Sequence, residues 1–201
     1  MATVGRISRE TRARRQGHEG AIIWLTGLSG AGKSTLATAA ETRLFEDGYS
    51  VYILDGDELR RGISADLGFS AHDRHENVRR ASAVAALLAD AGVVVLVAMI
   101  SPFASDRDAA RRVGGPSFHE VFVKASVRTC EGRDPRGLYR RARAGEIPEF
   151  TGVSSPYEPP ASPDLVIDTE QIDVATAVSR LVAFVTECVP RATPTSTAQA
   201  R

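Results

Sequence analysis

A chain of 201 residues, 43% hydrophobic and 25% charged, is sized for one globular domain with a real core. Its basic and acidic side chains balance at 25 each, so no net field recruits nucleic acid or an anionic membrane. The two cysteines, Cys130 and Cys188, form no CxxC pair, which excludes a metal knuckle and fits reduced thiols in the cytoplasm.

The N-terminus, "RISRETRARRQGHEG", is rich in arginine and lacks the apolar core of a secretory signal. Residues 1–18 therefore read as a mobile or docking arm ahead of a domain at 19–189. "AIIWLT" (21–26) reads as a first strand and leads into "GLSGAGKS", Gly27 to Ser34. That octet matches G-x-x-x-x-G-K-[ST] in full, with a strand before it and a helix, "KSTLATAAETRLFEDG" (33–48), after it. Glycines let backbone N–H groups turn inward around phosphates, and the helix adds its positive end. Gly27, Leu28, Ser29, Gly30, Ala31, Gly32, Lys33 and Ser34, with Thr35 behind them, are thus the expected ATP-binding set. Lys33 is suited to the β- and γ-phosphates and Ser34 to Mg²⁺. The chain holds only two lysines, Lys33 and Lys124; the second, late in a strand, reads as solvated.

"SVYILD" (50–55) is the second strand, and two carboxylates, Asp55 and Asp57, stand at its end with Arg60 three residues on. The third strand, "VVVLVAMI" (93–100), is too short to span a membrane and runs into Ser101-Pro102 with no acid. Asp55 and Asp57 are then the acids left to help the metal and to orient or deprotonate an attacking hydroxyl. A turn or a helix cap is the competing use of a D-x-D at a strand end. "DRHENVRRASAVAALLADAG" (73–92) reads as a long helix and "SDRDAARRV" (105–113) as a short one. "HEVFVKA" (119–125) and "LVIDT" (165–169) supply strands four and five, and "IDVATAVSRLVAFVTECV" (172–189) the last helix. Between the last two strands, about 128–152 is dense in arginine and reads as a mobile lid outside the core. The polar tail at 190–201 reads as disordered. The pattern is α/β: a P-loop NTPase-type three-layer fold with a five-stranded parallel sheet and an Arg-rich lid.

"DGDELRRGISADLGFSAHDRHENVRR", "ISPF", "RDPRGLYRRARAGEIPEFTG" and "YEPP" together resemble the adenylylsulfate kinase family, in order and spacing, over roughly residues 15–170. The resemblance implies transfer of the γ-phosphate of Mg·ATP to the 3′-hydroxyl of adenosine 5′-phosphosulfate. It implies catalytic roles for Asp57, Lys33 and Ser101, metal contacts by Ser34 and Asp55, and an adenine contact by Arg133. Acceptor contacts fall to Asp57, Arg60, Phe69, Arg74, Asn77, Ile100, Ser101, Arg140 and Phe150, with the two phenylalanines enclosing the acceptor's adenine; Arg80 is less secure, and core packing is the other use of the rings. Ser101 serves either as a hydrogen-bonding residue or, as described for some members, as a phosphoserine. A homodimer and an ATP sulfurylase upstream are the implied partners. His72 and His75 carry no assigned role. Three positions depart from the family: Glu58 for asparagine, Arg140 for the lysine of "GLYKKAR", and Ser154 for aspartate. Other readings of the residues are a kinase for a nucleoside, sugar or antibiotic hydroxyl, and a nucleotide-binding partner without catalysis.

Overall fold

A strand buried on both faces has to be apolar at every position, and "AIIWLT" meets that demand. In the computed structural model, which describes residues 7–192, it forms β1 (Ala21–Thr26), and all six residues are buried. Removing each of Ile22, Ile23, Trp24 and Leu25 from water contributes about 1.5–3 kcal/mol. The other strands are β2 (Val51–Asp55), β3 (Val94–Ala98), β4 (Phe118–Lys124) and β5 (Leu165–Asp168). All pair in parallel, in the order β2-β3-β1-β4-β5. The five expected strands are therefore present, each within two residues of its expected ends. β2 lies at an edge, and its Tyr52 is exposed.

Helices cover both faces. α1 (Arg9–Gln16) precedes the sheet; α2 (Lys33–Glu46) follows the phosphate loop, and α3 (Gly56–Arg61) follows β2. α4 (Ala71–Asp90) and α5 (Ala104–Gly114) flank β3 in sequence. α6 (Val127–Arg133) and α7 (Leu138–Arg143) lie in the arginine-rich segment, and α8 (Val174–Cys188) closes the fold. Residues of α2 and α8 share one core cluster with Ile23, Leu25 and Leu96; α4 and α5 share the other with Ile22, Trp24 and Val97. Among the described residues, no helix is long and apolar enough to cross a membrane.

Capping explains where the helices begin. α4 starts two residues before the expected Asp73 because the Ser70 side chain accepts from Asp73 N, leaving Asp73 inside the first turn. α8 starts after Asp173, whose carboxylate accepts from Thr176 N at 2.8 Å. α3 was not expected as a helix; Asp55 caps it by accepting from Asp57 N at 2.8 Å.

Two terminal expectations meet partial tests. Of the arm at 1–18, positions 1–6 lie outside the described residues, and α1 is tied down by Arg9, which donates to Gly20 O and Ser117 Oγ. Of the tail at 190–201, Ala192 N donates to Gly17 O at 2.7 Å and the Arg191 guanidinium covers the Tyr49 ring; positions 193–201 lie outside the described residues. The expectation that 128–152 stays out of the core needs correcting. Cys130, Tyr139 and Ala142 join the α2–α8 cluster because α6 and α7 each turn an apolar side inward beneath their arginines, and Phe150 joins it from the turn beyond α7.

Gly27 ends β1 at φ +153°, and a Cβ there would stand 2.3 Å from Val123 O on the neighbouring strand. Gly27→Ala is expected to destabilise the fold by about 2–4 kcal/mol, from backbone strain plus displacement of β4. A urea unfolding midpoint unchanged from the parent would refute this.

Candidate active site

The phosphate loop leaves the carboxyl end of the central strand β1, where open α/β sheets gather ligands. Lys33 opens α2 and is buried, its Nζ donating to Gly27 O (2.9 Å) and Leu28 O (2.8 Å). Burial pushes this ammonium down to about 8, with Cys130, Asp55 and Asp57 partly offsetting the effect. The next residue, Ser34, donates its hydroxyl to Asp55 Oδ2 at 2.7 Å. One carboxylate therefore does two jobs: its first oxygen caps α3 and its second meets the serine of the phosphate loop. The cap reading of D-x-D holds for Asp55, and the same carboxylate is in hydrogen-bond contact with the phosphate loop.

Asp57, on α3, points to the same place and forms an ion pair with Arg136 of the arginine-rich segment. Ser34, Asp55, Asp57, Glu58, Arg61 and Arg136 line a cleft of about 440 Å³. A larger cleft of about 610 Å³, lined by Leu28, Phe122, Val127 and Tyr157 among others, contains no charged side chain. The acids and the cation meet in the smaller one. Among the described residues, no group of three or more His, Cys, Asp or Glu forms a metal cage. A hydroxyl and one carboxylate beside a phosphate loop is the sparse oxygen set that suits Mg²⁺, which keeps waters and takes phosphate oxygens as its other ligands.

The residues expected on the acceptor side fall into two groups. Phe69 is 60% exposed, with the Arg60 guanidinium 4.4 Å over its ring and Arg60 Nη1 donating to Gly68 O. An exposed phenylalanine next to a cation is a ready stacking surface. Phe150 is buried instead and meets the Tyr139 ring edge-on, centroids 5.0 Å apart. Arg74 is buried too, donating to Phe69 O, Thr151 Oγ1 and Glu149 O, so it ties α4 to the 149–151 turn. Asn77, 4% exposed, keeps an unpartnered Oδ1. Arg80 is fully engaged by Asp66, Glu76 and Ile63 O. Arg140 is absent from the cleft lining; its guanidinium lies over Gly137, and the cleft arginine of that segment is Arg136. Arg133 donates to Thr169 O (2.7 Å) and Thr169 Oγ1 (3.0 Å), beyond β5. Lys124, expected to be solvated, pairs with Asp168 at 2.8 Å.

Ser101 sits after β3 at 2% exposure, with φ +39°. Trp24 Nε1 donates to its hydroxyl oxygen at 3.0 Å, and Ile100 O accepts from Thr26 Oγ1 at 2.8 Å. Left-handed backbone is uncommon for serine, and the surroundings hold it there. Arg107, 3% exposed, donates to Ser101 O (2.8 Å), Glu158 O (2.8 Å) and Glu120 Oε1 (2.7 Å). Glu158 in turn caps α5 by accepting from Ala104 N at 2.7 Å. Sequence reasoning missed Trp24, Arg107, Arg136 and Tyr139. Arg107 lay in plain "DRDAARR", indistinguishable from a solvated helix face, and "YEPP" gave no sign that it closes over Ser101. His75, given no role, pairs with Asp106 and stacks against Phe103.

A phosphate loop on a central parallel strand, an acid pair at the end of the edge strand and the start of the helix after it, and an arginine folded over that pair define a P-loop kinase, an enzyme that moves a nucleotide phosphate to a hydroxyl. The family model described as Adenylylsulphate kinase matches residues 19–168. An adenylyl-sulfate kinase of Geotalea uraniireducens is 55% identical over 85% of this chain and 83% of its own. A probable adenylyl-sulfate kinase of Halalkalibacterium halodurans is 52% identical over 89% of each. Among solved structures, the Mycobacterium tuberculosis APS kinase CysC in complex with AMPPNP and APS aligns with a TM-score of 0.80 and 49% identity, covering 83% of this chain and 98% of that one. The chain belongs to the adenylylsulfate kinase family.

Proposed function

We propose that the chain transfers the γ-phosphate of ATP to the 3′-hydroxyl of adenosine 5′-phosphosulfate, giving 3′-phosphoadenylyl sulfate. The observation that carries the reading is the meeting of Ser34, Asp55, Asp57 and Arg136 in one cleft at the carboxyl end of the sheet, in a chain with this family membership. Asp57 orients the acceptor hydroxyl and takes its proton as the bond from oxygen to phosphorus forms and the bond to the departing diphosphate breaks. Lys33 and the loop N–H groups neutralise the phosphates, and Thr35 follows in the same helix turn. Ser34, with Asp55 in support, would hold Mg²⁺, which would supply neutralisation of phosphate charge. Arg136 is poised to leave Asp57 for an incoming anion, as a guanidinium suits phosphate and carboxylate alike.

The acceptor's adenine lies against Phe69, with Phe150 behind it, and Arg60, Arg74, Asn77 and Ile100 complete the surroundings of the acceptor as a whole. Arg133 serves the nucleotide's base. Ser101 acts as a hydrogen-bonding residue: its oxygen already accepts from Trp24, its proton is free to donate, and its burial disfavours a phosphoserine route. The enzyme works in the cytoplasm, where ATP and free thiols coexist, and both cysteines are free. Its acceptor comes from an ATP sulfurylase, and its assembly is a homodimer, which light scattering checks.

The test is incubation with ATP, Mg²⁺ and adenosine 5′-phosphosulfate, with chromatographic detection of the 3′-phosphorylated product. Folded protein that makes none, or that phosphorylates a sugar instead, overturns the proposal. Phe69→Ala is expected to raise the acceptor KM by about 10–100-fold, the worth of one stacked base, and to leave the KM for ATP unchanged. An equal rise in both constants would remove Phe69 from the acceptor site.

A further inference from the structure

A phosphate loop works only if its N–H groups face the phosphates, so its carbonyls face outward and need donors of their own. Here every carbonyl from residue 27 to 31 has one. Lys33 serves Gly27 O and Leu28 O. The Tyr139 hydroxyl donates to Ser29 O at 3.0 Å. Arg133 Nη1 reaches Gly30 O and Ala31 O at 3.4 Å each, and Thr169 Oγ1 donates to Ala31 O at 3.1 Å. These donors differ in what happens when nucleotide arrives. Lys33 has to give up its two carbonyls to reach the phosphates, whereas Tyr139, in the arginine-rich segment, has no competing call.

The Tyr139 ring is 1% exposed and fixed on two sides. Phe150 meets it edge-on, and the buried Cys130 belongs to the same core cluster. Gly30 is pressed against the same support: a Cβ there would come within 3.0 Å of Cys130 O. Burial holds the Tyr139 phenol well above its ordinary value, so the proton it donates to Ser29 O is retained across the working pH range.

We infer that Tyr139 is a positioning residue for the nucleotide: its hydroxyl holds the Ser29 carbonyl outward, and so keeps the loop's N–H groups aimed at the phosphates once Lys33 has left the loop. The inference rests on the reading of Gly27–Ser34 as the ATP site, and it assigns to the segment over the site a second task, bracing the loop from behind. Tyr139 touches neither substrate; it acts through Ser29.

The experiment compares the parent with Tyr139→Phe, which keeps the ring against Phe150 and removes only the hydroxyl. Both are first checked for the same unfolding temperature within a few degrees. Binding of a non-hydrolysable ATP analogue and of adenosine is then measured by calorimetry, and steady-state constants are measured for both substrates. Loss of one buried hydrogen bond, leaving Ser29 O without its donor, is expected to weaken the analogue and raise the KM for ATP by about tenfold. Adenosine binding and the acceptor KM stay within twofold, because neither depends on the loop. A merely structural role through Phe150 would raise the acceptor KM in step, and that result overturns the inference. So does an unchanged affinity for the analogue in Tyr139→Phe while the parent binds it normally. A parent that binds no nucleotide at all would instead bring down the ATP-site reading on which the inference stands.

Discussion

Asp57→Asn is expected to fold like the parent and to lose about 10²–10⁴-fold in kcat, the usual worth of a positioned acid–base group. Both halves follow from where Asp57 sits. Its side chain is half-exposed on the short helix α3, and its ion pair is with a largely exposed arginine, so the substitution leaves no buried charge unpaired. Asparagine keeps the size and one acceptor oxygen, but cannot take a proton from a hydroxyl. The neighbouring acid makes the contrast. Asp55 accepts from both Ser34 Oγ and Asp57 N, so Asp55→Asn disturbs the serine proposed to hold Mg²⁺ and the first turn of α3 together. Its expected signature is a raised Mg²⁺ requirement, with activity partly restored by excess metal. Asp57→Asn should show no such rescue. Coupled detection of ADP release over a Mg²⁺ titration separates the two, and an Asp57→Asn enzyme with the parent's kcat would end the assignment of that residue.

How far these roles were legible in the sequence depends on which physics set each element. The five strands are short runs that are apolar on both faces, or one face at the edges, and such runs announce themselves. The loop "GLSGAGKS" is equally plain, because glycine spacing is its mechanism. α3 was missed because "GDELRR" has no apolar period over six residues; a single carboxylate, that of Asp55, starts it. The segment 128–152 misled for a related reason. Its density of arginine hid three of the side chains that turn inward, Cys130, Tyr139 and Ala142; for the fourth, Phe150, core packing was the alternative use. Which arginine there reaches the cleft was also beyond reach of the sequence. Gly137 takes φ +64° and α7 begins only after it, so Arg136 lies ahead of the helix and extends over Asp57, while Arg140 is carried round onto the helix. Identity of residue type could not choose between them; the turn does. Arg107 is the strongest case. Three hydrogen bonds from one buried guanidinium fasten the Ser101 turn, β4 and the 158 loop, and nothing in "DRDAARR" marks it off from the arginines around it.

Replacing Lys33 by methionine should produce a protein that is more stable than the parent near neutral pH yet binds ATP poorly at every pH. The buried ammonium is costly, its value pushed down to about 8 chiefly by burial, against 10.5 in the unfolded chain. Below about 8 both states carry the proton, and the folded state bears the whole cost of burying it. Between about 8 and 10.5 the unfolded chain binds more protons than the folded one, so the parent's stability rises with pH across that window. Methionine fills similar volume without the charge, and its stability should be flat over the same range. Nucleotide reverses the balance, because phosphate oxygens favour the charged amine. Parent affinity should therefore fall as pH climbs past about 8, and binding above that point should take up a proton, visible as a heat that varies with the buffer's ionisation enthalpy. Lys33→Met should show neither effect and should lose about 10²–10³-fold in kcat, as when one preorganised donor to a reacting oxyanion is removed. If parent and variant share the same pH slope in both urea unfolding and nucleotide binding, the proton belongs to some other group. The energy stored in burying Lys33 would then have no part in holding the phosphates.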